Sequence, residues 1–475
     1  MEGQLDAPIL SLPNELLFMI LWLVASIDGP EQTALRRVYQ DVLQLPYRYA
    51  TKLSYGHAPQ LALVCKRFYG VIIDYIYSNM FIDLRHFTIG SRAHISFEQL
   101  WRSYQENPIL PGVCRTLFLG YGDLPEHPSI TTDSLVSQFT AVRSFTLHGL
   151  CPSDAPWNLL TLACTHFDQL KELSLGSTII GYELELSRVF TTLGGLPTTS
   201  LRNLRRLHID GTDWEEYDWT KFKVNQVTLP SMSGAHISIP QKFAGTAPFT
   251  KLELSNFLQG ANALRALIEW PKYLAEFKLE FTITDEIPDE GLESWTLAGI
   301  QNILEPHRQT LRSLKVNAIN RDTLEGFDLR SFESLEELGL GIQLTGNHKR
   351  HSDDRDRALY SALPLGLRAF HWDLTWSSHP LDDGLQDFSQ WEEEWLRRFV
   401  LTARAQGCPL KEIYIAFAPD SWSTTNDPVL GAYPWDRMDQ LGVELEIKVH
   451  YNTPTVEPEE YAEIVEEYRR GISQT

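Results

Sequence analysis

The sequence predicts an α/β chain in two parts: an N-terminal helical module, then an irregular α/β solenoid. Three observations predict it. Apolar residues recur at helical spacing in two segments near the amino terminus. From about residue 110 to 450 a short strand-like pattern recurs: apolar, two residues, apolar, one residue, apolar. Amphipathic stretches precede several of these copies, as stacked helix-and-strand units require.

The bulk composition permits this. Of 475 residues, 43% are apolar and 22% charged, which is enough to bury a sizeable core. The formal charge is −21, with 62 acidic against 41 basic side chains. A chain this acidic repels phosphate backbones and anionic membrane surfaces, so neither nucleic acid nor membrane is the expected partner. The five cysteines are scattered and include no Cys-x-x-Cys pair, which points to a reducing compartment, cytoplasmic or nuclear.

The first helical segment starts at "LPNELLFMIL", Leu12 to Leu21. It lacks the basic start of a signal peptide, because the first basic residue is Arg36. Leu16 to Ile27 is also too short to cross a bilayer, which takes about 20 apolar residues. A soluble helix is expected, with Ser11 as cap, Pro13 in the first turn and Glu15 at the positive end of the dipole. This helix is apolar nearly all round, so its own module covers only part of it. The second segment is "LALVCKRFYGVIIDYIY", Leu61 to Tyr77, with Val64, Phe68, Val71 and Tyr75 at helical spacing. Leaving four such side chains exposed forfeits roughly 6–12 kcal/mol, so an interface is expected there.

"LPNELLFMILWLV" followed by "LALVCKRFYGVI" resembles an F-box of the style common among fungal F-box proteins. The resemblance implies docking on the Skp-family adaptor of an SCF-type cullin–RING ubiquitin ligase. Leu12, Pro13, Leu16, Ile20, Leu21, Leu63, Val64 and Phe68 would then face or support the adaptor. One departure is plain: residues 25–60 intervene where the family has a short linker, and "EQTALRRVYQDVLQL" within them reads as an extra helix. The helical module is placed at residues 1–85, with two ordinary core helices as the competing reading.

Residues 86–452 carry the recurring pattern. The clear copies are "LKELSL" (170–175), "LRRLHI" (204–209), "LAEFKL" (274–279), "LRSLKV" (311–316), "LEELGL" (335–340), "LRAFHW" (367–372) and "LKEIYI" (410–415). Weaker copies lie at 114–119, 142–147, 224–229 and 249–254. The pattern resembles leucine-rich repeats. The spacing between copies is uneven, and the Asn or Cys that follows in such repeats is missing: Thr178, Thr212 and Gln343 stand there instead. An ordinary α/β domain is the competing reading.

In a solenoid, the residues between the apolar positions line one face of a parallel sheet. Candidate target-binding residues there are Arg206, His208, Asp210, Lys278, Lys315, His371, Asp373 and Tyr414. Mixed charges in a row suit a protein or peptide more than a small molecule. No catalytic residue, cofactor or metal is expected. "GLGIQLTG" lacks the third glycine of a dinucleotide loop. The carboxylates of "HIDGTDWEEYDW" are more simply solvated than metal-bound. Residues 453–475 read as an acidic tail or closing helix, with Tyr461, Ile464, Val465 and Tyr468 on one stripe. The function expected is a substrate receptor of the ligase; the alternative is a non-catalytic adaptor-binding or repeat scaffold with no part in ubiquitination.

Overall fold

The computed structural model describes residues 66–84, 92–121, 131–177, 186–197, 199–210, 243–255, 261–280, 296–317, 326–341, 362–374, 390–416 and 433–451, with isolated positions between and beyond them. The chain forms two compact units. The first comprises Met1–Arg205 with Thr212–Asn225, and the second Arg206–Gly211 with Gln226–Thr475.

In the first unit, α1 (Lys66–Ser78) runs directly into β1 (Asn79–Asp83). Then come α2 (Arg92–Glu106), α3 (Leu110–Val113), β2 (Thr116–Gly120), α4 (Thr132–Val136), β3 (Ser144–His148), α5 (Asp154–His166), β4 (Glu172–Gly176) and α6 (Leu186–Gly194). The four strands pair in chain order, all parallel and without offset, so Ile82, Leu119, Leu147 and Leu175 stand side by side. Thr131 starts α4 with a capping box: its hydroxyl accepts from Ser134 N–H, and the Ser134 hydroxyl accepts from Thr131 N–H.

The second unit continues the parallel sheet pattern with eight strands among the described residues. Its strands are β5 (Arg206–Asp210), β6 (Lys251–Ser255), β7 (Glu276–Glu280), β8 (Ser313–Val316), β9 (Glu337–Gly341), β10 (Ala369–Asp373), β11 (Glu412–Ala416) and β12 (Lys448–Tyr451). Helices α7 (Ala261–Glu269), α8 (Leu297–Leu304), α9 (Gln390–Ala405) and α10 (Pro434–Glu444) lie between them in the chain. The strands again pair in chain order, parallel and in step: Ile209, Leu254, Leu279, Val316, Leu340, Trp372, Ile415 and Tyr451 form one line. Parallel strands need a crossover between them, and here each crossover returns to the next position along the sheet. Each unit is therefore an α/β solenoid.

The apolar positions of the pattern make the core. Leu207, Leu252, Phe277, Leu314, Leu338, Phe370 and Ile413 are buried on the helix-facing side, where Leu264, Leu267, Ile300, Leu304, Leu396 and Phe399 are buried too. The strands keep four or five residues throughout, so uneven spacing falls in the connections. From Val316 to Leu340 is 24 residues and from Ile209 to Leu254 is 45. Of the sequence copies, 224–229 lies outside the described residues. Two further strands, β1 and β12, extend the pattern at either end, and β1 lies inside residues 1–85.

His307 ties two of these connections together. Its Nε2–H donates to the Ile268 carbonyl at 2.8 Å, and its Nδ1 accepts from Leu274 N–H at 3.3 Å. Burial holds its pKa below the usual histidine range, with the bond to Ile268 only partly offsetting. A lowered folded pKa means that the unfolded chain binds the proton more readily. The stabilisation is therefore complete above about pH 6.5 and is lost as pH falls through the folded value. Replacing His307 with Leu, which has no polar atom to offer either group, is expected to cost about 1–3 kcal/mol at pH 7 and less at pH 4.5. Urea titrations at the two pH values check this, and an equal loss at both would contradict it.

Candidate protein-binding face

The alternation of each strand sends every second residue to the face away from the helices. In the second unit these residues form three rows across the strands. The central row reads His208, Glu253, Lys278, Lys315, Gly339, His371, Tyr414, His450. One residue pair earlier lies the row Arg206, Lys251, Glu276, Ser313, Glu337, Ala369, Glu412, Lys448, in the same register. One pair later stand Asp210, Ser255 and Glu280 on β5–β7, and Gly341, Asp373 and Ala416 on β9–β11.

The face is not uniform. At β5 and β6 it is closed: His208 is 3% exposed, Asp210 8% and Glu253 5%. His208 Nε2 lies 3.0 Å from Ser255 Oγ. Glu253 takes an ion pair from Arg206 and a longer one, at 3.4 Å, from Lys251. Burial pushes the Glu253 carboxyl up, but the Arg206 hydrogen bond and the charges of Arg206, Lys251 and Lys278 outweigh it and leave it below the usual range.

From β7 to β12 the face opens into a groove of about 420 Å³. Lys278, Lys315, Gly339, His371, Tyr414 and His450 line one side, and Glu280, Asn317, Asp373 and Ala416 line the other. Six strands at about 4.8 Å spacing make the groove roughly 24 Å long, room for about seven extended residues. Lys278 pairs with Glu280, and Lys315 with Glu337 at 3.4 Å.

At the far end the central row becomes a ladder of rings. His371 stacks on Tyr414 with centroids 4.3 Å apart and planes within 8°, and Tyr414 stacks on His450 at 4.3 Å and 5°. The register puts these three residues directly beside one another, so the stack follows from the sheet. Glu412 fastens it, accepting from the Tyr414 hydroxyl at 2.6 Å and from His450 Nε2–H at 3.2 Å. These bonds hold the Glu412 carboxyl low, the one from Tyr414 most, and push the Tyr414 hydroxyl up. His371 is pushed down to about 4, first by burial and then by the Lys315 and Lys278 charges, against the pull of Glu337 and Glu412. Its ring is neutral at pH 7.

Of the sequence candidates, the structure thus gathers Lys278, Lys315, His371, Asp373 and Tyr414 in one groove. Arg206, His208 and Asp210 sit on β5, outside that groove, in the closed part of the face. His450 lines the groove without being among the sequence candidates; the alternation of "LEIKVHY" is the signal that finds it. Among the adaptor candidates, Phe68 is 6% exposed and packs within its own chain beside buried Ile72. Leu12, Pro13, Leu16, Ile20, Leu21, Leu63 and Val64 lie outside the described residues. Tyr461 of the tail is buried and meets Tyr433 edge to face at 5.7 Å. Among the described residues no group of three His, Cys, Asp or Glu is placed to hold a metal, and no helix is long and apolar enough to cross a membrane.

No family model matches the chain, and no curated protein matches it. Among solved structures it is similar to the leucine-rich repeat-containing protein LegL7 from Legionella pneumophila, at 16% identity and a TM-score of 0.42. That likeness covers 77% of this chain and 97% of LegL7.

Proposed function

We propose that the chain is a non-catalytic recognition subunit. The β7–β12 face holds an extended segment of a target protein, and the N-terminal segments that resemble an F-box dock on a Skp-family adaptor of an SCF-type cullin–RING ubiquitin ligase. The chain then contributes proximity, and a partner enzyme performs the transfer. The observation that carries the reading is the open groove across six strands, lined by charged and aromatic side chains over an apolar core. A long, shallow, mixed-charge surface on rigid strands suits a polypeptide. The ligase half is supported by the resemblance at residues 12–24 and 61–68.

The experiment is co-purification of the full chain with the adaptor. Leu12→Asp/Ile20→Asp is expected to lower recovery at least about tenfold, since charging an interface core costs more than about 1.4 kcal/mol. Equal recovery would remove the ligase half. A second reading, a repeat scaffold whose N-terminal helices serve its own core, is favoured by the burial of Phe68 and Ile72 on α1. It predicts that the same double variant unfolds the first unit and that wild type brings down no adaptor.

A further inference from the structure

The groove changes character along its length. Over β7 and β8 its central row is basic, with Lys278 and Lys315. Over β10–β12 the row is the ring ladder, and carboxylates flank it on both sides. Glu412 lies in the row before the rings and is fixed to two of them. Asp373 lies in the row after and lines the groove. Glu337 reaches the first ring from the neighbouring strand, its Oε2 3.6 Å from His371 Nε2. The residues beside these acids on β10 and β11 are small, Ala369 and Ala416, so no bulky group separates charge from ring. Lys448, the one lysine or arginine on this face of β10–β12 among the described residues, stands beside Glu412 in register and helps to keep that carboxyl charged, while Asp373 has Gly341 and Ala416 as its in-register neighbours.

We propose that this half of the groove binds a lysine or arginine side chain on an extended segment of a partner protein, its alkyl stem on the ring ladder and its charge between Glu412 and Asp373. The inference rests on the reading of this face as the target-binding surface. Long basic side chains cover apolar surface with their stems while the charged head stays in polar surroundings. Neutral His371 adds no repulsion. The chain's formal charge of −21 draws a basic segment toward it and turns an acidic one away.

The test selects a displayed library of random nine-residue peptides on the full chain. A recovered peptide is then titrated by fluorescence anisotropy. Enrichment of Arg or Lys at one position is expected. Glu412→Gln/Asp373→Asn is expected to weaken that peptide roughly tenfold and to flatten its salt dependence. Gln at 412 still accepts from the Tyr414 hydroxyl, and an unchanged melting temperature confirms the fold. Lys278→Gln/Lys315→Gln is expected to bind as well as wild type or better. Recovery of acidic or purely apolar peptides, failure to recover any, or unchanged binding by Glu412→Gln/Asp373→Asn would overturn the proposal. Adaptor co-purification is read separately on the same variants. A chain that selects basic peptides but brings down no adaptor loses only the ligase reading; one that brings down adaptor without charge-dependent peptide binding loses only this inference.

Discussion

Replacing Gly341 with alanine is expected to destabilise the second unit by about 3 kcal/mol, the upper end of the range for overpacking. A Cβ at this position would lie 1.7 Å from the Asn317 carbonyl oxygen. That oxygen is backbone at the end of β8, so no rotamer change relieves the contact and the strands must separate. Gly339, two residues earlier on the same strand, is the control. A Cβ there meets the Lys315 Cγ at 2.8 Å, which can swing aside, and the Cβ atoms of Lys315 and His371 at 3.1 and 3.3 Å, which need only a small backbone adjustment. Gly339→Ala is expected to cost about 1 kcal/mol, the lower end of the same range. Urea unfolding of the two variants side by side checks this. If both unfold at the wild-type midpoint, the close approach of β8 to β9 is not real.

The second large effect is expected at Trp395. Its ring stacks on Trp372 at 4.5 Å and on Phe399 at 5.3 Å, and meets Phe370 at 5.9 Å. All four side chains are at most 3% exposed. They join α9 to β10, the strand that carries His371 and Asp373 on its other face. Trp395→Ala removes the ring at the centre of this cluster and leaves a cavity that its rigid aromatic neighbours cannot fill. A loss of about 3–5 kcal/mol is expected, and about half of that for Trp395→Phe. Hydrogen exchange should show the loss in the amides of β10 and β11, while those of β1–β4 keep their protection. Uniform loss through both units would show instead that they unfold as one.

How far these sites can be read from the sequence differs from strand to strand. The copies at 170–175, 274–279 and 410–415 declare themselves because all three apolar positions face the core. β1 and β12 do not. The place of the first apolar residue is taken by Tyr77, still on α1, and by Glu446, which has φ 50° in a turn. There the neighbouring Leu445 and Ile447 are buried instead, so the repeat spacing is absent and only the plain alternation of "LEIKVHY" marks the strand. The face is harder still. "LHID" on β5 and "FHWD" on β10 have the same form, His and Asp flanking one apolar residue. Yet His208 and Asp210 are buried, while His371 and Asp373 line an open groove. Exposure of a strand face depends on what lies over it, and a run of five residues carries no record of that. The ladder His371–Tyr414–His450 likewise needs the register, because 43 and then 36 residues separate its members.

Pairing each strand with its immediate predecessor also shapes how the molecule is made. As the polypeptide leaves the ribosome, every new turn meets a finished edge already waiting, in the orientation and step it needs. No strand has to be held open for a segment still to be synthesised. Within each unit, growth can therefore proceed from the amino-terminal side as addition to a template.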